Sequence, residues 1–363
     1  EFHERSIHTD LAIGLLKEVR EARPDLVLIV MSATLDAEPV AAYLGGCPIV
    51  RSAGRAFPVA VEYRVPGGDV CDAAADAAAG LVMEEGAGDV LVFLPGAGEI
   101  RRAVAALRPV AARGVAVLPL HGSLPFEQQA AAIRPRVAGG RVICATNIAE
   151  TSLTIEGVTA VVDTGLQRSA WYDAERGLDR LEVRPTSRAS ADQRAGRAGR
   201  VRPGRCVRLY SEKSYHARPG FELPEVARVD LAQVVLALHA WGRRDPREFA
   251  WYEPPPEERL ASAERLLGML GALDAEREGR VTALGRRLLA LPVHPRLARL
   301  LVAAGDAGAL RLGATLAALL AERDIVPTAA QGGGPAVTGD SDLLLRAELL
   351  EGRGPARLAI DAA

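Results

Sequence analysis

Short apolar runs alternate with amphipathic stretches over the first two thirds of the chain. The apolar runs are rich in Val, Leu and Ile and are bounded by turn-forming residues, a pattern typical of buried strands. They cover residues 26–31, 59–63, 89–94, 115–120, 141–145, 158–163 and 205–209. Helical patterns lie between them, at residues 8–21, 72–85, 99–107 and 125–133. Strands that alternate with helices predict an α/β fold with a parallel sheet covered on both faces, whose ligands bind where the strands end.

The second part of the chain is predicted to be α-rich, because apolar residues beyond Tyr210 recur with the spacing of amphipathic helices. These helices are predicted at residues 229–241, 257–273, 282–291 and 341–350. A short β-like segment at 280–281 precedes the third of them, and an Ala- and Leu-rich helical region begins at Pro295. A Gly- and Pro-rich stretch at 331–335 predicts a loop within that region.

Composition and charge exclude several classes of function. Hydrophobic residues make up 49% of the chain, but no uncharged run reaches the ~18 residues of a membrane span, so a globular protein without a membrane partner is expected. The net charge is -2, and only two of the 44 basic residues are lysines, a bias that codon usage in a GC-rich genome explains. The four cysteines stand far apart without a CxxC pair, which argues against zinc and disulfides and is typical of a reducing cytoplasm. His294 has no ligand partner near it in the sequence, so we expect a packed or surface histidine.

The strongest chemical signal is an arginine-rich octapeptide, Gln-Arg-Ala-Gly-Arg-Ala-Gly-Arg, at residues 193–200. On a helix, Arg197 and Arg200 would be three residues apart, so both guanidinium groups would leave from one face. Gly196 and Gly199 would keep that face thin and allow another lobe to approach closely. Two permanently charged, fork-shaped donors suit a terminal phosphate whose oxygens gain charge in a transition state. A solvated basic helix is the alternative interpretation.

A second signal follows the strand predicted at 141–145. Residues 146–157 read Thr-Asn-Ile-Ala-Glu-Thr-Ser-Leu-Thr-Ile-Glu-Gly, a strand-end loop dense in hydroxyl and amide groups. Such groups are neutral donors for phosphate and ribose oxygens, although an ordinary capped turn has a similar composition. Ser32, Ala33 and Thr34 follow the strand predicted at 26–31 in the same way, where a residue that caps the next helix is the common explanation.

These motifs together resemble those of the DEAH/RHA family of superfamily 2 helicases. The octapeptide resembles the last motif of that family, and residues 146–157 resemble its fifth motif almost letter for letter. Residues 1–3, Glu-Phe-His, are similar to the end of a D-E-F-H motif, and residues 32–34 to the motif that follows it. The Phe in that motif, with Phe-Pro-Val at 57–59 and Ala-Glu-Arg-Asp at 321–324, is similar to the bacterial HrpB branch.

The resemblance implies a nucleotide site that uses ATP and Mg²⁺. Glu1 would be the general base or the carboxylate that positions water, and Gln193, Arg197 and Arg200 would complete the catalytic set. The residues implied in nucleotide binding and coupling are His3, Ser32, Thr34, Ser152, Thr154 and Glu156. His3 is expected near Gln193. The metal-holding Asp of the family would precede Glu1, so no metal ligand is expected within the chain.

Single-stranded RNA or DNA is the partner that the resemblance implies. The groups expected to contact its backbone lie in loops and are mostly neutral: Gly96, Gly122, Ser123, Thr146, Asn147 and Thr151. Alternating residues at 167–184 predict a β-hairpin, and a hairpin at this place separates strands in the family. Eight arginines from Arg184 to Arg208, against the single acid Asp192, predict a local basic patch.

The implied architecture has four parts: residues 1–54 as the end of a first RecA-like lobe, 55–212 as a second lobe, 213–292 as a winged helix and 293–363 as a partial helical bundle. The chain begins without Met, and its last helix has no domain to close on, so we expect a piece of a longer, cytoplasmic ATP-dependent helicase. A non-catalytic nucleic-acid-binding module is the main alternative, because the phosphate-cradling Gly-rich loop and its lysine are missing. A RecA-fold ATPase acting on protein is a third interpretation, which the hydroxyl groups of residues 146–157 and the hairpin disfavour.

Overall fold

The structure is a computed structural model that describes residues 2–32, 37–52, 57–84, 88–134, 140–151, 153–173, 177–274, 279–322, 325–326 and 341–353. The chain forms two compact units, which are described separately. The first unit contains Glu1–Thr9 and Leu16–Val229, and the second contains Asp10–Leu15 and Asp230–Ala363. The finer division into four parts stays a prediction.

The first unit is built on a parallel six-stranded sheet. Its strands, numbered with those of a separate hairpin, are β1 (Val59–Tyr63), β2 (Asp89–Phe93), β3 (Ala116–Leu120), β4 (Arg141–Ala145), β5 (Val158–Asp163) and β8 (Gly204–Arg208). They lie in the order β1-β8-β5-β2-β4-β3, and every neighbouring pair is parallel. The hairpin consists of β6 (Leu166–Asp173) and β7 (Leu178–Pro185), which pair antiparallel. The predicted parallel sheet and the predicted hairpin are confirmed.

Helices cover both faces of this sheet. The helices of the first part of the chain are α1 (Ile7–Ala22), α2 (Ala37–Tyr43), α3 (Val70–Val82), α4 (Ala97–Ala106), α5 (Arg108–Ala111), α6 (Phe126–Ile133), α7 (Arg188–Gly196) and α8 (Glu212–His216). Along β2, Val90 and Val92 pack with α3 and α4, whereas Leu91 and Phe93 pack on the opposite face with Ala132 of α6 and side chains of α7. Both faces of a strand are therefore buried, which explains why the strands read as continuous apolar runs.

The prediction of a strand at residues 26–31 is wrong, because this segment pairs with no other strand in the structure. Its alternate side chains are exposed, with Val27, Ile29 and Met31 at 80%, 76% and 71%. A strand forms only where a neighbour takes up its backbone hydrogen bonds, and no strand in the described part of the chain lies beside this segment. An apolar pattern in the sequence does not show whether a neighbouring strand is present to pair with the segment.

The second unit is helical where it is described. It contains α9 (Ala232–Trp241), α10 (Glu257–Met269), α11 (Ala283–Leu289), α12 (Pro295–Asp306), α13 (Leu310–Ala321) and a further helix at Asp342–Leu350. An isolated antiparallel bridge joins Leu273 to Val281, which confirms the short β-like segment before α11. The loop predicted at 331–335 lies outside the described residues. In the described ranges, no helix has both the length and the apolar content to cross a membrane.

His294 is held by two hydrogen bonds at the start of α12. Its Nε2 lies 3.2 Å from Oδ1 of Asp230, and its Nδ1 accepts a hydrogen bond of 3.3 Å from the backbone N–H of Arg296. The described residues contain no group of three or more His, Cys, Asp or Glu side chains placed to hold a metal ion. His294 is thus hydrogen-bonded and 29% exposed, in agreement with the expectation of a packed or surface histidine.

Candidate nucleotide and nucleic-acid site

Three loops with predicted nucleic-acid contacts follow three adjacent strands of the sheet. Gly96 follows β2, Gly122 and Ser123 follow β3, and Thr146 and Asn147 follow β4. These strands lie side by side in the order β2-β4-β3 and run parallel, so their carboxyl ends meet at one edge. The fold therefore brings the three loops together at the edge where ligands bind in parallel sheets.

The loop after β4, residues 146–151, is called the Thr146 loop. The backbone N–H of Thr146 donates to the carbonyl of Leu120 at 3.1 Å, which ties this loop to the end of β3. A single 3-10 turn, Asn147–Ala149, then turns the chain. The side chain of Asn147 is exposed, that of Thr146 is partly buried, and the hydroxyl of Thr151 donates to the carboxylate of Glu4. The loop thus presents neutral polar groups along the sheet edge.

The loop after β3 is exposed and locally ordered. Oγ of Ser123 lies 2.9 Å from Nδ1 of His121, and both Gly122 and Ser123 are accessible. By contrast Gly96, after β2, is buried at the start of α4 without a side-chain cap. A Cβ atom there would lie 3.1 Å from Cζ of Arg168 in β6, so the hairpin covers this glycine. Sequence reasoning missed Arg168, since nothing in the pattern of the hairpin indicated that it reaches α4.

The sequence predicts one helix across the arginine octapeptide, but the structure shows a helix followed by a turn. Helix α7 ends at Gly196, and Arg197–Gly199 form a 3-10 turn, which together with Arg200 is called the arginine turn. A Cβ atom on Gly199 would lie 2.5 Å from the carbonyl oxygen of Phe57, so this glycine lets the turn pack against the segment leading into β1. Around Gly196 a Cβ atom would meet no atom of the described chain within 4 Å. The expectation that both glycines thin a face for another lobe is therefore wrong for Gly199, whose close neighbour belongs to the same unit.

Arg197 and Arg200 differ in burial but reach the same loop. Arg197 is 6% exposed and donates to the carbonyls of Leu153, at 2.6 Å, and Glu150. Arg200 is exposed, and its Nη1 lies 3.3 Å from Oγ1 of Thr154. The two guanidinium groups thus lie along consecutive residues of the segment that follows the Thr146 loop. Arg200 is the one that remains accessible to a ligand.

Arg194, the remaining arginine of the octapeptide, is a buried structural residue. Its Nε donates to the carboxylate of Glu150 at 2.9 Å, and its Nη1 donates to that of Asp163 at 2.9 Å. Burial alone would lower the pKa of Arg194, but the charges of Asp163 and Glu150 outweigh it and raise the pKa above its ordinary value. Its guanidinium also lies 4.8 Å from the ring centroid of Phe93. Arg194 therefore fixes the position of Glu150 and cannot reach a ligand.

The predicted basic patch is smaller than the sequence indicates. Arg194, Arg197 and Arg208 are at most 6% exposed and bind carboxylates or carbonyls of the protein. Arg184 stacks on the ring of Trp171 at 3.6 Å, and Arg205 donates to Glu84 at 2.6 Å. Of the eight arginines, Arg188, Arg200 and Arg202 are the exposed ones outside these contacts, and Arg188 and Arg200 form no ion pair with a carboxylate among the described residues. Counting charges along the sequence overestimates the positive surface.

His3 and Gln193 line one open cavity of about 400 Å³. His3 lies on a 3-10 turn, Phe2–Glu4, and Gln193 is half-buried on α7. Asn147 and Thr151 of the Thr146 loop line the same cavity. The structure thus places His3 and Gln193 beside the same space, next to the loop after β4.

The remaining predicted nucleotide residues are only partly described. Glu1, Thr34 and Ser152 lie outside the described residues, and Ser32 is exposed. Glu156 has an exposed side chain and lies two residues before β5, whose amino end lies at the opposite edge of the sheet from Thr146. Its carbonyl accepts a 3.0 Å hydrogen bond from Arg141, a fully buried residue that sequence reasoning did not single out. Glu156 therefore lies near the edge of the sheet opposite Thr146 and Asn147.

Two family models match the chain. The model described as helicase conserved C-terminal domain matches residues 73–202, and that of the helicase associated domain (HA2), winged-helix, matches residues 263–293. The chain is 42% identical over 325 residues to the ATP-dependent RNA helicase HrpB of Escherichia coli (strain K12), which covers 89% of this chain and 40% of that protein. It is also 42% identical over 318 residues to the pre-mRNA-splicing factor ATP-dependent RNA helicase prp22 of Schizosaccharomyces pombe (strain 972 / ATCC 24843), covering 85% of this chain and 27% of that protein.

Solved structures agree with these matches. A crystal structure of the Escherichia coli DEAH/RHA helicase HrpB superposes with a TM-score of 0.84 at 39% identity, over 98% of this chain and 44% of that one. A crystal structure of the E. coli DExH-box NTPase HrpB gives a TM-score of 0.79 at 40% identity, over 95% of this chain and 41% of that one. The chain therefore spans less than half the length of the relatives it matches.

The parallel sheet, the loops at its carboxyl edge and the arginine turn define a RecA-like lobe of the superfamily 2 helicase class. Within that class the matches support a chain of the DEAH/RHA type that is similar to HrpB. The resemblance inferred from the octapeptide and from residues 146–157 is thereby confirmed.

Proposed function

We propose that this protein is an ATP-dependent helicase that moves along single-stranded nucleic acid and unwinds duplexes. The observation that carries the proposal is the meeting of the Thr146 loop with the arginine turn, since Arg197 donates to the carbonyl of Glu150 within that loop. The loop that we assign to nucleic acid and the turn that we assign to phosphate are thus in direct contact. The relatives named ATP-dependent RNA helicases support the same activity and favour RNA as the partner.

On the nucleotide side, Arg200 is the residue that we assign to the transferred phosphoryl group. Among the described residues, its exposed guanidinium contacts Thr154 at 3.3 Å, and it would give up this contact when a phosphate arrives. Arg197 is proposed to act beside it, while Gln193 and Glu1 hold the attacking water. When bound, ATP with Mg²⁺ supplies the phosphoryl group that is transferred. We assign the Mg²⁺ contacts to the residues that hold the metal in the DEAH/RHA family, whose Asp would precede Glu1.

On the nucleic-acid side, we assign the backbone of the strand to the carboxyl edge of the sheet. Thr146, Asn147 and Thr151 would donate hydrogen bonds from one loop, and Gly122 and Ser123 from the loop after β3. Contacts to phosphate and sugar position a strand without reading its sequence.

The free thiols at all four cysteines support a proposed location in the reducing cytoplasm.

A non-catalytic nucleic-acid-binding module is the second candidate. It is favoured by one observation, the absence from this sequence of a Gly-rich loop followed by Lys and Ser or Thr, which cradles phosphates in nucleotide hydrolases. Such a module would bind a strand at the same sheet edge, but it would not hydrolyse ATP in any context.

The deciding experiment measures ATP hydrolysis by the full-length natural protein with and without single-stranded RNA, and strand separation of a duplex that carries a 3′ overhang. We expect hydrolysis to be stimulated by the strand and separation to require ATP. Strand binding without any hydrolysis would favour the binding module instead. Hydrolysis that no nucleic acid stimulates would favour an ATPase that acts on another substrate.

A further inference from the structure

A buried charge cluster lies at the carboxyl end of β5, where the sheet gives way to the hairpin. Asp163, the last residue of β5, is 0% exposed. Its carboxylate accepts three hydrogen bonds, from Nη1 of Arg194 at 2.9 Å, the backbone N–H of Gly165 at 2.9 Å and the hydroxyl of Tyr210 at 2.8 Å. Glu150 and Arg218 extend the cluster on either side, and these five side chains, of residues 150, 163, 194, 210 and 218, are called the Asp163 network.

One side of the network holds the Thr146 loop. Nε of Arg194 donates to the carboxylate of Glu150 at 2.9 Å, and the carbonyl of the same Glu150 accepts from Arg197. Glu150 is thus fixed twice, by its side chain to the buried network and by its backbone to the arginine turn. Any displacement of Arg194 is passed directly to the loop that carries Thr146 and Asn147.

The other side holds both ends of the β6–β7 hairpin. Nη1 of Arg194 donates to the carbonyl of Leu166, the first residue of β6, at 3.1 Å. Nη1 of Arg218 donates to the carbonyls of Gly165, at 2.8 Å, and Thr186, at 3.0 Å, and to the Thr186 hydroxyl at 2.7 Å. Thr186 directly follows β7, so the network connects the two ends of the hairpin at its base.

The network is balanced and has little freedom to rearrange. It contains two guanidinium groups and two carboxylates, and Arg218 stacks 3.9 Å from the ring centroid of Tyr210. Asp163 and Arg194 are almost completely buried. In such a place a partner cannot leave without stranding a charge, so the members keep one arrangement or change it together. Gly165 is part of the same design, because its φ of +69° and the close approach of Tyr210 leave no room for a side chain.

We propose that the Asp163 network connects the hairpin and the Thr146 loop so that they move together as one rigid unit. In this proposal Arg194, Asp163 and Arg218 are positioning residues for unwinding. The proposal rests on the proposed function, because the loop is assigned to the strand and the arginine turn to the nucleotide. A movement of the arginine turn on nucleotide hydrolysis would then move the hairpin by the same step. A hairpin tethered only locally would not follow the loop.

Hydrogen exchange on the full-length natural protein tests this inference without any helicase activity. The variant is Arg218→Met, which removes contacts to the hairpin base and touches neither Glu150 nor Arg197. We expect the amide of Thr186 to exchange about tenfold faster, and the amides of Ala149 and Glu150 in the Thr146 loop to follow it by a similar factor. The amides of β2 should keep their wild-type rates. The matched control is Arg205→Gln, which changes an exposed arginine paired with Glu84.

Faster exchange at Thr186 with unchanged exchange at Ala149 and Glu150 would overturn the proposal, because the network would then be a local brace. If Arg218→Met also loosens β2, the same comparison is decided by Tyr210→Phe, which removes one hydroxyl and keeps the ring. In the active enzyme we expect Arg218→Met to slow unwinding about tenfold while stimulated hydrolysis stays within about twofold. A wild-type protein that hydrolyses but never unwinds would refute the proposed function, and the exchange result would still decide the inference.

Discussion

Arg194 and Asp163 form a salt bridge inside the first unit, with Nη1 of the arginine 2.9 Å from Oδ1 of the aspartate. The two side chains are only 1% and 0% exposed. A buried pair adds little net stability compared with apolar residues of the same volume, but removing one partner leaves a charge without a counter-ion. The bridge therefore gives Arg194 a structural role, although it lies only three residues before Arg197 in the octapeptide.

Replacing Arg194 by Ala should destabilise the protein by about 3–5 kcal/mol, because Asp163 would stay buried and unpaired. The measurement is the urea midpoint of unfolding of the full-length natural protein. Arg205→Ala is the control, since Arg205 is paired with Glu84 at the surface, where ion pairs contribute little. Equal midpoints for the two variants would contradict the structural role. The expected loss of stability makes Arg194→Ala unsuitable as a control for Arg197→Ala.

The strands of the sheet were predictable because strands that are buried on both faces are apolar throughout. Val90 and Val92 face one side and Leu91 and Phe93 the other, so the run reads as apolar throughout and predicts a parallel strand. The segment at 26–31 has a similar composition, yet its side chains are largely exposed and it forms no strand, because it has no hydrogen-bonded strand beside it among the described residues. Local pattern therefore predicts the elements and not their pairing.

The candidate site was predictable only where its residues are neighbours in sequence. The Thr146 loop and the arginine octapeptide are contiguous motifs, and the structure brings them together. The partners of Arg194, Asp163 and Glu150, are 31 and 44 residues away along the chain, so no spacing rule points to them. Arg168 beside Gly96 was missed for the same reason. Charges that are paired across the fold are invisible to a count along the sequence.

Stability should fall at alkaline pH because of two buried thiols. Burial raises the pKa of Cys144 to about 12 and that of Cys206 to about 12, from an ordinary value of 9.0. Above the ordinary value the unfolded chain loses these protons while the folded protein keeps them, so each thiol lowers the free energy of unfolding by about 1.4 kcal/mol per pH unit. The loss should begin near pH 9 and continue through pH 11.

Urea midpoints measured between pH 8 and pH 11 test this, with Cys144→Ala expected to flatten the pH dependence. The matched control is Cys47→Ala, which replaces a thiol outside the buried core. An unchanged slope in Cys144→Ala would show that other groups govern the alkaline loss. The comparison uses slopes rather than absolute stabilities, because the alanine variant also leaves a small cavity in the core.

The polypeptide of these 363 residues, purified alone, should hydrolyse no ATP above a buffer control. The sequence contains no Gly-rich phosphate loop with its lysine, the group that cradles the phosphates in nucleotide hydrolases. Release of inorganic phosphate with and without single-stranded RNA is the measurement. Turnover that RNA stimulates would show that the chain completes a nucleotide site by itself.

Arg200→Ala in the full-length natural protein should lower stimulated ATP hydrolysis by ~10³ to 10⁵, as expected for an arginine that acts on a transferred phosphoryl group. Arg197→Ala should cause a comparable loss and should also weaken strand binding, because it frees the carbonyl of Glu150 in the Thr146 loop. The control is Arg64→Ala, an exposed arginine paired with Glu62 on β1. A loss of less than about tenfold at Arg200 would remove it from the catalytic set.

Thr146→Ala and Asn147→Ala should weaken binding of single strands by a similar factor for every base sequence, because both residues are assigned to the strand's backbone. Neutral donors release few counter-ions, so the dependence of affinity on salt should barely change. Arg188→Ala or Arg202→Ala should instead lower the salt slope by about 1, if that arginine contacts a phosphate.

Titration of affinity against salt separates the two classes of variant, and the structure narrows which arginines belong to the second. Arg208 supplies the matched negative control, because its guanidinium is buried against Asp192 at 2.7 Å and cannot reach a phosphate. Arg208→Lys keeps the charge, and we expect it to leave the salt slope unchanged. A change of base preference in Asn147→Ala, with non-specific binding intact, would mean that this side chain reads a base edge. The path of the strand would then have to run across the top of β4 rather than along it.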